Sequence, residues 1–80
     1  MSIIPILKAK DLLRLLLKLG FKIISQKGSY VKLQHFLDKT RQVILPVHSG
    51  DLKRGTLLSI LKQAKIPIRE FLIILGKIKD

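Results

Sequence analysis

A leucine-rich run closed by a glycine sets the first constraint on this chain. From Ala9 to Leu19 the residues Ala9, Leu12, Leu13, Leu15, Leu16, Leu17 and Leu19 cover most of a helical circumference. Lys10, Asp11, Arg14 and Lys18 gather on the remaining side at about 100° per residue. Pro5 before the run and Gly20 after it are the residues expected at the two ends of a helix. So wide an apolar arc has to be buried. A core is the first place for it, and part of the arc is broad enough to meet a second protein.

After Gly20 the period changes from 3.6 to 2. Phe21 to Ser25 reads as a strand, and Lys27-Gly28-Ser29 as a tight turn in which glycine supplies a positive φ. Tyr30 to His35 alternates, with Val31 and Leu33 on one face and Tyr30, Lys32 and Gln34 on the other. Asp38 to Arg41 is a polar turn, and Gln42 to Pro46 is a third strand stopped by its proline. Val47 to Arg54 reads as a loop. Thr56 to Ala64 is a second helix with Leu57, Ile60, Leu61 and Ala64 on one face and Ser59, Lys62 and Gln63 opposite. Pro67 suits the first turn of a last helix reaching about Leu75, with Ile68, Phe71, Leu72 and Leu75 inward. The sum is an α+β chain. It is a two-layer sandwich of order α-β-β-β-α, with a three-stranded antiparallel sheet and an additional C-terminal helix. The helix-free sheet face should carry Tyr30, Lys32 and Lys22.

Sixteen Lys and Arg against five Asp and Glu give a net charge of +11 on 80 residues. Such a field draws nucleic acid, an anionic membrane surface or an acidic protein. Residues 1–80 fit one domain, too small for a deep substrate cavity, so function belongs on a face or in a shallow groove. The absence of cysteine excludes disulfides and thiolate metal sites and fits a reducing cytoplasm. His35 and His48 have no metal-ligand spacing with the few carboxylates, so neither metal nor small-molecule cofactor is expected. The longest uninterrupted apolar run, Phe71 to Leu75, is far short of the roughly 20 residues of a membrane span. The N-terminus also lacks the order of parts of a signal peptide.

The phrase Asp51-Leu-Lys-Arg-Gly-Thr-Leu-Leu-Ser-Ile-Leu-Lys-Gln-Ala-Lys-Ile66 resembles the C-terminal signature of the HicA family. Gly20-Phe21, Lys27-Gly28-Ser29 and Leu45-Pro-Val-His48 stand at the matching distances before it. The likeness runs from about residue 9 to residue 66, and a helical extension of about 67–76 follows that core. It implies a fold like that of double-stranded RNA-binding domains. It further implies an mRNA interferase, the endoribonuclease toxin of a toxin–antitoxin pair, restrained by a HicB-like antitoxin.

In that family Gly-Ser is followed by a histidine taken to be catalytic, and here Gly28-Ser29 is followed by Tyr30. Metal-free RNA cleavage needs a group that takes the 2′-hydroxyl proton or protonates the leaving oxygen. Histidine, titrating near pH 6.5, suits this far better than tyrosine, titrating near pH 10. Tyr30 is therefore an ordinary exposed tyrosine, a stacking platform for a base, or a weak catalytic group. His48, in the loop before the second helix, is a second catalytic candidate and equally a plain loop histidine. His35, at the end of a strand, reads as structural. Lys53 and Arg54 stand where the second helix begins, and cations there are unfavourable unless an anion is bound. They are the leading phosphate contacts, with Lys27, Ser29 and Lys32 extending the track. Three functions remain open: an RNA-cleaving toxin, a silent double-stranded RNA-binding module, and a pure interaction protein for an acidic partner.

Overall fold

In a computed structural model, residues 6–47 and 50–76 are described. Helix α1 (Ala9–Lys18) buries Ala9, Leu12 and Leu16, a stripe at helical spacing. Asp11 in its first turn and Lys18 in its last complement the helix dipole. Gly20, at φ +97°, turns the chain out of the helix, and a Cβ there would lie 2.8 Å from the Phe36 ring. Conformation and space both demand glycine at this joint.

Strands β1 (Phe21–Lys27), β2 (Tyr30–His35) and β3 (Gln42–Pro46) form an antiparallel sheet in the order β1-β2-β3. The first strand runs two residues past the expected Ser25, leaving Gly28-Ser29 as a two-residue hairpin loop. Gly28 has φ +58° and Ser29 does not share the positive φ, as in a type II′ turn with glycine at its first central position.

The register of β1 slips once. Ile23 pairs with Leu33 and Ser25 with Lys32, so Ile24 is an extra residue and forms a β-bulge. Strict alternation would put Lys22 and Lys27 on opposite faces. The bulge brings them to the same face, because Lys22 pairs with Gln34 and Lys27 with Tyr30. That outer face also carries Lys32 and Ile44, which are cross-strand partners. The inner face holds Val31, Leu33, Val43 and Leu45, each buried.

Helix α2 (Arg54–Ala64) and helix α3 (Ile68–Ile74) follow. The first of these starts two residues before the expected Thr56, so Arg54 is its first residue rather than the end of a loop. Leu57, Ile60, Leu61 and Ala64 are buried as their spacing predicts. In α3 Phe71 and Leu72 are buried and Leu75 is half-buried, but Ile68 is 44% exposed. Pro67 serves as N-cap, and Ile68 opens the helix as one wall of an open hollow with Leu58 and Pro67. Phe71, the largest fully buried side chain, joins Leu12, Leu33 and Leu57 in one cluster. The C-terminal helix is thus built into the core.

The β2–β3 loop is tied down by polar contacts. His35 is buried, and its Nδ1 accepts the backbone N–H groups of Leu37 at 3.1 Å and Asp38 at 3.3 Å. The ring hydrogen is therefore assigned to Nε2, which donates to the Leu19 carbonyl at 3.1 Å. The Thr40 hydroxyl donates to Asp38 and accepts from Lys65 Nζ at 2.7 Å. Arg41 Nε donates to the Ala64 carbonyl at 2.7 Å, and its guanidinium lies 5.3 Å from the Phe21 ring centre.

Two expectations follow. Phe71→Ala should cost about 3–5 kcal/mol of unfolding free energy, the usual range for emptying a buried aromatic site. Urea denaturation reads it, and a loss below about 1 kcal/mol would show α3 to be peripheral. Hydrogen bonds from the Thr40 side chain and backbone hold the Asp38 carboxyl below its ordinary pKa. A lowered folded-state value contributes stability above the ordinary carboxylate pKa, and that stability fades as pH falls through the folded value. Asp38→Asn should therefore lower stability near neutrality and flatten the acid limb of the stability–pH curve, with little change at low pH where Asp38 is already protonated. An unchanged curve by urea denaturation at about pH 7 and about pH 3 would show that the carboxylate contributes nothing.

Candidate nucleic-acid interface

Tyr30 opens β2 directly after the hairpin turn, and its side chain is 56% exposed on the outer face. Its cross-strand partners are Lys27 on one side and Pro46 on the other. The Val47 N–H donates to the Ser29 carbonyl at 2.6 Å, extending the pairing beyond the strand ends. Paired on both sides, the backbone at Tyr30 holds its ring at a fixed height above the sheet.

A second segment is fixed against this corner by the chain before α1. The Leu52 N–H donates to the Leu7 carbonyl at 2.7 Å, and Lys8 bridges Asp51. Leu52 itself is buried. These contacts seat the residues leading into α2 beside the end of β3. Tyr30, Pro46, Asp51, Leu52, Lys53 and Thr56 then line a cleft of about 300 Å³. The first turn of α2 adjoins it and carries neither an acidic residue nor a side-chain cap. Its backbone N–H groups and partial positive charge are left for an outside acceptor.

The sequence-predicted site residues divide accordingly. Tyr30 and Lys53 share the cleft. Lys27 faces Tyr30 across the hairpin, and Lys32 lies two residues farther along the same face. Ser29 sits in the turn and contributes its carbonyl to Val47. Arg54 begins α2 but does not line the cleft. His48 lies outside the described residues.

Two polar contributors escaped the reading of the sequence. Asp51 and Thr56 line the cleft, and the only hint was their closeness to the helix start. Lys27 is expected on the phosphate track, but the bulge that brings it to the outer face beside Lys22 is displayed by no alternation pattern.

A lysine, a phenol and an uncapped helix start around a small cleft suit a phosphate with an attached ring. A larger hollow of about 480 Å³ lies at the other end of α2, between Leu58, Leu61, Ile66, Pro67 and Ile68, with Lys62 and Lys65 at its rim. Its walls are apolar and offer little that would orient a substrate. Among the described residues no three His, Cys, Asp or Glu cluster as metal ligands would. No described helix is long and apolar enough to cross a membrane.

No curated protein matches the chain. Residues 9–66 match the family described as the HicA toxin of bacterial toxin-antitoxin systems. That span takes in α1, the whole sheet, the cleft and α2, and it stops short of α3. With most of its length matched, this chain belongs to the HicA toxin family.

Proposed function

We propose that the chain is an RNA-binding toxin that grips mRNA with the outer sheet face and the Tyr30–Lys53 cleft, and that its cleavage is slow or absent. The observation that carries the reading is the cleft itself, which joins Tyr30 to Lys53 at an uncapped helix start. Lys53, with Arg54 beside it, holds a backbone phosphate. Lys27 and Lys32 follow the strand along the sheet, and the Tyr30 ring stacks on a base. A HicB-like antitoxin restrains the protein in the bacterial cytoplasm.

The slow turnover follows from one side chain. Cleavage by the 2′-hydroxyl requires a proton acceptor for that hydroxyl and a donor for the departing 5′ oxygen. A phenol is a poor acceptor at neutral pH, and general acid–base catalysis typically contributes about 10²–10⁴-fold. The second reading, a non-catalytic double-stranded RNA-binding module, draws on this same substitution of tyrosine for the family's histidine.

The decisive comparison is between this protein and its Tyr30→His variant on structured and single-stranded RNA. Affinity should be similar, and turnover should rise in the variant by about 10²-fold or more. Equal cleavage by both proteins would assign the chemistry elsewhere, with His48 as the first alternative.

The phosphate site has its own measurement. Each phosphate contact adds nearly one to the slope of log affinity against log salt. Lys53→Ala combined with Arg54→Ala should flatten that slope by about two and weaken all RNA sequences alike. An unchanged slope would place the phosphate contacts on another part of the surface.

A further inference from the structure

The two edges of the sheet are treated differently. At β3 the Ile44 N–H is satisfied by Gln63 Oε1 from α2 at 3.0 Å. At β1 no hydrogen bond beyond the pairing with β2 reaches Lys22 to Lys27, among the described residues. Every residue of β1 after Phe21 is exposed, including Ile23 at 45% and Ile24 at 42%. A strand in this state offers alternating backbone donors and acceptors next to apolar side chains. Such an edge accepts another strand readily.

Charge selects the occupant. Between Asp11 and Asp38 the chain has no acidic residue and five basic ones, Arg14, Lys18, Lys22, Lys27 and Lys32. A second copy fits poorly. Antiparallel self-pairing about the middle of β1 would set Lys22 of one copy against Lys27 of the other on one face, and like charges directly opposite are destabilising. RNA fits poorly too, since the edge presents carbonyl oxygens as well as N–H groups, and a phosphate cannot use them. An acidic extended segment meets every requirement. Its backbone pairs with the edge, its carboxylates lie beside Lys22 and Lys27, and its apolar face covers Ile23.

We propose that the free edge of β1 is a docking strip for an extended acidic strand of a partner protein, which joins the sheet as its fourth strand. The strip lies outside the Tyr30–Lys53 cleft and shares only Lys27 with the RNA track, so the proposal stands whether or not RNA is cleaved. Membership of a toxin–antitoxin family supplies a protein partner in principle.

The test uses the full chain and a short capped peptide of alternating Val and Glu, read by amide hydrogen exchange. At ten times its dissociation constant the peptide should slow exchange of outward-facing β1 amides about tenfold. A version with Lys for Glu, and one with N-methylated backbone, should leave them unchanged. In the K22E/K27E protein the preference should reverse toward the Lys peptide. The proposal fails if the Glu peptide leaves β1 amides unprotected or if both peptides protect them equally. It fails too if a short RNA protects them as well as the Glu peptide does, or if the free protein already protects them as a dimer.

Discussion

A three-stranded sheet in so short a chain receives one apolar layer, and that layer is centred on Leu33. It lies in the middle strand, opposite Ile23 on one side and Val43 on the other. Leu33, Leu12, Leu16, Leu57 and Phe71 are buried in one cluster. With this face covered by helices, the opposite face is left to water, and it is the face that carries the cations. The separation of an apolar interior from a basic exterior is thus a matter of strand geometry. Each residue of β2 belongs to one side or the other, and a one-residue slip would exchange them.

The bulge at Ile24 is where that geometry is adjusted. Phe21 has to point inward to meet the His35 ring and the Arg41 guanidinium. Lys27 has to point outward beside Tyr30. Six positions along a regular strand restore the original face, so both demands cannot be met without one extra residue. The inserted residue is apolar and exposed, and it lies on the edge that lacks a covering element.

Much of the fold was legible because its signals are local. The leucine stripe of α1, the Gly28-Ser29 turn and the alternation of β2 each occupy a few consecutive residues. Errors arose where distant packing decides. Phe-Lys-Ile-Ile-Ser has no alternation, so neither the bulge nor the true end of β1 could be read from it. Ile68 obeys the inward spacing of α3 yet stays exposed, because it faces an open hollow beside Leu58 and Pro67. The cleft was legible only in part. Tyr30 and Lys53 stood out by residue type and motif, but Asp51 and Thr56 join them through the contact of Leu7 with Leu52, which no short window contains.

Arg41 and Lys65 hold the C-terminal end of α2, one through the Ala64 carbonyl and the other through Thr40. The opposite end of that helix, some eleven residues away, carries Lys53 and Thr56 into the cleft. A helix of this length is about 16 Å long and behaves as a stiff rod. A small tilt at its anchored end becomes a displacement of comparable angle at the other. The β2–β3 loop, which lines no part of the cleft, therefore shares with the Leu7–Leu52 contact the task of setting the aim of Lys53. Changes in that loop would alter the alignment of a phosphate while leaving every lining residue in place.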